Sequence, residues 1–130
     1  MEEIYCTVWT KDGKQELTLD QFYKFNWGEF HRLDGPAIEY ADGSKSWWIY
    51  GKIHCLDGPA IEWADESKEW YIKGKRHRID GPAVEWSDGT KFWYVDGRIL
   101  DTKEVESWLK ENNVDLGTIE GQMAFKLRWI

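Results

Sequence analysis

His31-Arg32-Leu33-Asp34-Gly35-Pro36-Ala37-Ile38-Glu39 is answered by His54-Cys55-Leu56-Asp57-Gly58-Pro59-Ala60-Ile61-Glu62, and again by His77-Arg78-Ile79-Asp80-Gly81-Pro82-Ala83-Val84-Glu85. The aspartates fall at 34, 57 and 80, a period of 23 residues. Gly51, Gly74 and Gly97 share that period, as do Trp47, Trp70 and Trp93, and Lys45, Lys68 and Lys91. A fixed period of about 20–50 residues marks a repeat architecture. Each unit then buries its apolar face by stacking on its neighbours.

The unit reads as a hairpin. Pro36-Ala37-Ile38-Glu39-Tyr40 alternates, with Ile38 and Tyr40 facing one way and Ala37 and Glu39 the other; Ile61/Trp63 and Val84/Trp86 are the equivalents. Alternation of this kind is strand pattern. Asp42-Gly43 and Asp88-Gly89 supply hairpin-turn residues. The return strands run Lys45–Tyr50, Lys68–Lys73 and Lys91–Asp96, and Gly51, Gly74 and Gly97 mark a second turn. Pro lacks an N–H, so the Asp-Gly-Pro segment belongs at the start of a strand.

The middle copy departs twice. Glu66 stands where Gly43 and Gly89 stand. A left-handed backbone costs a residue with a side chain about 1–2 kcal/mol, so a different turn is expected there. Cys55 replaces Arg32 and Arg78 and removes one charge from a repeated row.

Outside the repeats, Glu3–Thr10 reads as a strand, Lys11-Asp12-Gly13-Lys14 as a turn and Gln15–Leu19 as the return. Leu19–Phe25 fits either a short helix capped at Asp20 or a degenerate strand. Gly28 lies one period before Gly51, where an eroded repeat would end. Asp101 followed by Glu104 opens a helix from about 102 to 112, with Val105, Trp108 and Leu109 on one face and Asn112-Asn113 as its stop. Met123, Phe125, Leu127 and Trp129 alternate with Ala124, Lys126 and Arg128, which predicts a final strand over Gln122–Ile130. The expected fold is mainly β: an antiparallel meander of 23-residue hairpins in one elongated sheet, forming a single domain over 1–130. Residues 1–30 are the N-terminal cap and eroded repeat, 31–98 the repeats, and 99–130 a C-terminal helix and strand cap.

Ten Trp, six Tyr and five Phe in 130 residues let a thin sheet draw its stability from rings. The net charge of −7 is spread over all three segments and leaves no basic stripe. Nucleic acid and anionic membrane surfaces are therefore unfavourable partners. An acidic surface suits solubility or a basic protein partner. No apolar leader opens the chain, and no run reaches the roughly 20 apolar residues of a membrane span. A cytoplasmic protein, in the host cytoplasm if viral, with Cys6 and Cys55 as free thiols, is expected.

The unit Trp70-Tyr71-Ile72-Lys73-Gly74-Lys75-Arg76-His77-Arg78-Ile79-Asp80-Gly81-Pro82-Ala83-Val84-Glu85-Trp86-Ser87-Asp88-Gly89 resembles the MORN repeat, in its variant form with an Asp-Gly-Pro core. Similar Trp-rich arrays occur in uncharacterised tailed-phage proteins. The resemblance spans residues 25–98. It lacks the glycine that MORN repeats usually place between their Tyr and Trp, since Trp48-Ile49, Tyr71-Ile72 and Tyr94-Val95 fill that segment. It implies hairpin arrays that act as scaffolds or binding surfaces. Lipid-headgroup binding, proposed for some members, is not expected here because acids balance the basic residues. Bacterial proteins with the variant repeat are often labelled antitoxin-like.

No catalytic set stands out. His31, His54 and His77 share one repeat position, so neighbours lie roughly 9–10 Å apart, twice the strand spacing. Ligands of one metal ion sit about 2 Å from it. Hydrogen bonding to turn carbonyls is the expected role of these histidines, with no metal and no cofactor. His77-Arg78-Ile79-Asp80 imitates part of a kinase catalytic loop without its companion motifs. Cys55 occurs in one copy, and nothing activates it. Glu39, Glu62 and Glu85 suit cross-strand pairs with Lys or Arg. The row Trp47/Trp70/Trp93 is expected in the core. The row Trp48, Tyr71 and Tyr94, set among Glu69, Lys73 and Asp96, is expected half-exposed. With Glu39, Glu62, Glu85 and Glu69 it forms the candidate binding surface. The expectation is a non-enzymatic protein-binding module, on the phage resemblance an inhibitor of a host defence protein. A small-ligand or nucleotide-sequestering protein, with its pocket between sheet and C-terminal helix, and an antitoxin-like scaffold stay open. So does a homodimer through a sheet edge or the aromatic face.

Overall fold

Period-23 alternation becomes a nine-stranded antiparallel sheet with two short ribbons beside it. The computed structural model describes residues 3–130; Met1 and Glu2, assigned to the N-terminal cap, lie outside the described residues. Strands β1 (Cys6–Thr10) and β2 (Gly13–Leu17) form the opening hairpin. Helix α1 (Leu19–Lys24) follows, which settles the ambiguous segment. Its N-cap is Thr18, whose hydroxyl accepts from the Gln21 N–H while the Gln21 side chain accepts from the Thr18 N–H.

The repeats supply β3 (Ile38–Tyr40), β4 (Lys45–Ser46), β5 (Trp48–Ile49), β6 (Lys52–Ile53), β7 (Ile61–Glu62), β8 (Lys68–Glu69), β9 (Tyr71–Ile72), β10 (Lys75–Arg76), β11 (Val84–Glu85), β12 (Lys91–Val95) and β13 (Arg98–Leu100). The sheet order is β13-β12-β11-β8-β7-β4-β3-β1-β2, while β5 pairs with β6 and β9 with β10 as separate ribbons. The return strands are thus broken in two copies, contrary to the expectation of continuous strands. At Trp47 the N–H donates to Ala60 O at 2.8 Å, and the carbonyl accepts from His54 N–H at 3.0 Å. Trp70 does the same with Ala83 O (2.7 Å) and His77 N–H (3.1 Å). The chain leaves the large sheet there and enters a ribbon. In the third copy β12 runs through.

The ribbons turn through Tyr50-Gly51 and Lys73-Gly74, and β12 joins β13 through Asp96-Gly97. Both residues of each pair have positive φ, the geometry of the two-residue hairpin turn that matches strand twist. Gly51 has a second reason to be glycine: a Cβ there would lie 2.5 Å from Gly28 O. That contact seats the segment ending at Gly28 against the first ribbon.

The turn at Glu66 corrects an expectation. It is not a different turn. Glu66 takes φ +75° where Gly43 has +95° and Gly89 +92°. The same bonds close all three: Gly43, Glu66 and Gly89 N–H donate to the carbonyls of Tyr40, Trp63 and Trp86 at 3.0 Å each. The carboxylates of Asp42, Asp65 and Asp88, three residues before each strand, accept from the Ser44, Ser67 and Thr90 N–H. Ser44 and Ser67 Oγ then accept from Ala64 and Ser87 N–H of the following turn. This lattice holds Glu66 in a strained conformation.

Helix α2 (Thr102–Glu111) starts at Asp101, whose carboxylate accepts from Glu104 N–H at 2.9 Å. The expected last strand is instead helix α3 (Ile119–Trp129). Thr118 caps it. Its inward side is Gly121, Phe125 and Trp129 at i, i+4 and i+8, whereas Met123 and Leu127 are exposed. One core, around Val8, Leu17, Phe22, Phe30 and Ile38, lies at the N-terminal end; a second, around Trp93, Val95, Leu100, Val105, Phe125 and Trp129, lies under α2 and α3. Cys6 and Cys55 are free thiols. Among the described residues no helix is long and apolar enough to cross a membrane.

Two predictions follow from this packing. Glu66→Gly removes left-handed strain and raises stability by up to about 1 kcal/mol, as read by denaturant unfolding. In the N-terminal core, burial pushes the Cys6 thiol up to about 11 and the Tyr40 hydroxyl up to about 12. Both groups keep their proton in the fold where the unfolded chain has lost it. Their stabilisation is therefore complete below the ordinary values of 9.0 and 10.0 and is lost as pH rises through the folded ones. The unfolding midpoint should stay level towards pH 9 and then fall, with a shallower first step in Cys6→Ala.

Candidate functional site

Cross-strand register sorts the candidate residues onto opposite faces. Glu39 lies opposite Lys45, Lys45 opposite Glu62, Glu62 opposite Lys68, Lys68 opposite Glu85 and Glu85 opposite Lys91. This charge-alternating row crosses six strands and specifies register, because a one-residue slip of any strand would take its charge out of the row and onto the opposite face. It marks the ladder face. The neighbouring row runs Ile38, Ser46, Ile61, Glu69, Val84, Phe92 on the other side. Trp48, Tyr71 and Tyr94 share that second face. The expected surface is therefore split: Glu39, Glu62 and Glu85 are on one side, and Trp48, Tyr71, Tyr94 and Glu69 are on the other.

On the tyrosine face the expected binding residues hold one another. Glu69 is 3% exposed and does not belong to a surface. Its carboxylate accepts from Trp63 Nε1 at 2.8 Å, Arg76 Nη2 at 2.8 Å, Arg76 Nε at 3.2 Å and the Tyr71 hydroxyl at 3.4 Å. Arg76 also donates to the Tyr94 hydroxyl and lies 5.2 Å from the Tyr94 ring centroid. Desolvation raises the Tyr71 hydroxyl, with the Glu69 charge as the next cause. Trp48 Nε1 donates to Ser46 Oγ at 2.8 Å, and its ring meets Phe30 edge-on at 5.2 Å.

The ladder face carries the groups expected in the core. Trp93 is buried, with the Phe125 ring at 5.8 Å, but Trp47 and Trp70 are only half-buried. Arg78 lies 3.8 Å over Trp70 and donates to Asp80, Pro82 O and Glu85 at 2.8, 3.0 and 2.7 Å. Arg32 lies 4.0 Å over Trp9 and donates to Asp34 and Pro36 O at 3.1 Å each. Two open grooves run between successive Asp-Gly-Pro loops. One, of about 570 Å³, is lined by Cys55, Leu56, Asp57, Trp70, Arg78 and, from α3, Gln122. The other, of about 680 Å³, is lined by Arg32, Leu33, Asp34, Trp47, Leu56 and Asp57. Leu33 and Leu56 are each 81% exposed, whereas their equivalent Ile79 packs under the C-terminal helices.

The histidines bind turns, though to amides rather than the expected carbonyls. Nδ1 of His31, His54 and His77 accepts from the N–H of Tyr50, Lys73 and Asp96 at 2.9, 2.8 and 3.0 Å. The accepting nitrogen is unprotonated, which puts the proton of the neutral ring on Nε2. Among the described residues no group of His, Cys, Asp and Glu is placed to hold a metal ion. Burial pushes the Cys55 thiol up, aided by its hydrogen bond to Asp57 at 3.3 Å, so thiolate chemistry is disfavoured there.

No known protein family, no curated protein and no solved structure matches this chain.

Trp47, Trp70, Leu33 and Leu56 are the residues that sequence reasoning placed elsewhere or passed over. A bulky aliphatic residue beside each Asp-Gly-Pro turn, at a loop position with no strand to bury it, was the available signal.

Arg76→Ala leaves the Glu69 carboxylate buried without its cation. The expected cost is about 3 kcal/mol in denaturant unfolding, the low end for an orphaned buried charge. Glu69→Leu combined with Arg76→Leu should recover much of it.

Proposed function

We propose that this chain is a protein-binding module that recognises a basic partner through the ladder face of its first two complete repeats. One observation carries the reading. The same row of groups lies under the C-terminal helices in the third repeat and, among the described residues, under no helix in the others. Ile79 and Trp93 lie under α2 and α3, while exposed Leu33 and Leu56 line the grooves between the loops together with half-buried Trp47 and with Trp70, on which Arg78 stacks. The third repeat thus serves as an internal example of a helix seated on this surface. Exposed aliphatic and aromatic groups framed by charges suit an interface.

The surrounding charge favours a cationic partner. Asp34, Asp57, Asp80, Glu39 and Glu62 border the grooves or share their face, and the net charge is −7. The same carboxylates disfavour nucleotide phosphates. Pairing of two copies edge to edge is less favoured, because the outer strand β2 carries Lys14 and Glu16 on an exposed edge. The resemblance to MORN-type repeats supports a scaffold or binding role by analogy. The more specific role, a phage-encoded inhibitor of a host protein, comes with that resemblance.

Leu56→Asp changes an exposed side chain, so the melting temperature should stay near that of the parent. Proteins retained from a lysate by the immobilised parent should be lost with Leu56→Asp and kept with an exposed control on the other face, Ile99→Thr, opposite Tyr94. Equal retention by all three chains overturns the reading.

A further inference from the structure

Four tryptophans line the ladder face, and three of them have lids. Arg32 covers Trp9, Arg78 covers Trp70, and Phe125 lies against Trp93. Among the described residues no guanidinium or ring lies over Trp47, because the residue that would supply it is Cys55. The acceptors of that missing arginine are all still present. Stepping back one period from the partners of Arg78 gives the Asp57 carboxylate, Pro59 O and the Glu62 carboxylate. Pro59 O and Glu62 receive no hydrogen bond among the described residues, and Asp57 receives one, from the weakly donating Cys55 thiol.

The space is also present. A Cβ built on Gly35 would lie 2.9 Å from the Arg32 guanidinium carbon, and one on Gly81 would lie 2.7 Å from that of Arg78. A Cβ on Gly58 would meet nothing within 4 Å. The volume that a guanidinium occupies in the flanking copies is empty in the middle one; Cys55 and Asp57 line the groove with Trp47, and Gly58 and Pro59 border the adjoining groove.

We infer that the Trp47 groove is a socket for the guanidinium of an arginine side chain brought by the partner. The planar cation stacks on the indole and donates to Asp57, Pro59 O and Glu62, as Arg78 does to their counterparts. A planar fork of donors suits this set, whereas an ammonium is a compact charge that cannot both lie flat on the ring and reach three divergent acceptors. Arg32, on the far wall, is an opposing charge, but Asp34 pairs with it at 3.1 Å. The groove therefore remains anionic through Asp57, with Glu62 beyond its rim between Lys45 and Lys68. The arginine as part of a protein rests on the reading given under Proposed function; the socket itself rests on the two filled copies.

The test uses the whole chain and capped arginine (N-acetyl-arginine methylamide) as probe. The readout is the indole N–H resonance of Trp47, assigned with Trp47→Phe. Capped arginine should shift it saturably with a dissociation constant on the order of 1 mM, and capped lysine at least several-fold more weakly. Gly58→Ala has room in the free chain, so it should keep the parent melting temperature yet abolish the shift. Cys55→Arg should fill the socket from within, raise the melting temperature and abolish the shift. No saturable shift with capped arginine, equal binding of capped lysine, or a shift that survives in Gly58→Ala or Cys55→Arg overturns the inference. A partner released by Leu56→Asp while Trp47 ignores arginine would sink the socket alone. Loss of the docking reading with the arginine shift intact would leave a socket for a small guanidinium compound.

Discussion

The backbone of Trp47 and Trp70 sets the shape of the molecule. Each residue gives its N–H to the alanine carbonyl of the next repeat and its carbonyl to the histidine N–H of the next loop. A strand residue that changes partner in this way ends one sheet and begins another. The alanine is constrained in turn: Ala37, Ala60 and Ala83 are 0% exposed, so a larger side chain there would have to displace its neighbours. The preceding proline has no N–H to satisfy and leaves its carbonyl for arginine in two copies. Asp-Gly-Pro-Ala is thus a set of conditions imposed by one backbone junction. The repeated histidine completes it by accepting the amide at the head of each two-residue turn.

What the sequence made legible follows the same division. Period and alternation were enough for the meander, because Asp34, Asp57 and Asp80 repeat and Glu39 must face Lys45 in the only register that keeps charges paired. The break at Trp47 was not legible: it contains no glycine or proline and consists only of a change of hydrogen-bond partner. The last element misled because Met123, Phe125, Leu127 and Trp129 alternate like a strand, while Phe125 and Trp129 are also one helical turn apart. Thr118 as cap, and Gly121 where a Cβ would overlap the Asp115 carbonyl, decide for the helix. The candidate surface was mislaid for a related reason. Parity along a strand tells which residues share a face, but the cover on a face comes from α2 and α3, far away in the chain. Trp47, Trp70 and Trp93 look alike in sequence and differ only in what lies above them.

The middle repeat is where the array is least like itself. The apolar cores sit at the two ends, and between them the tyrosine face is held by the buried Glu69 and its ring of donors. Such a repeat depends on its neighbours for stability. Both departures from the pattern fall within it. Glu66 keeps the turn of its glycine counterparts at the expense of backbone strain, since the turn lattice on either side dictates the conformation. Cys55 keeps the loop of its arginine counterparts, with the amide of residue 55 still bonded to Tyr71 O as those of Arg32 and Arg78 are to Trp48 O and Tyr94 O.

That second departure separates backbone from side chain. Removing the arginine leaves the loop in place, so the arginine is not what folds it. What is lost is a lid that elsewhere satisfies a proline carbonyl and a carboxylate and shields an indole. Solvent can satisfy the polar groups of an open groove, but water gains little from the face of Trp47. A group both flat and cationic satisfies ring and acceptors together, which neither water nor an aliphatic side chain does. The repeat architecture makes this chemistry readable, because the occupied copies on either side of the vacancy show what fits it.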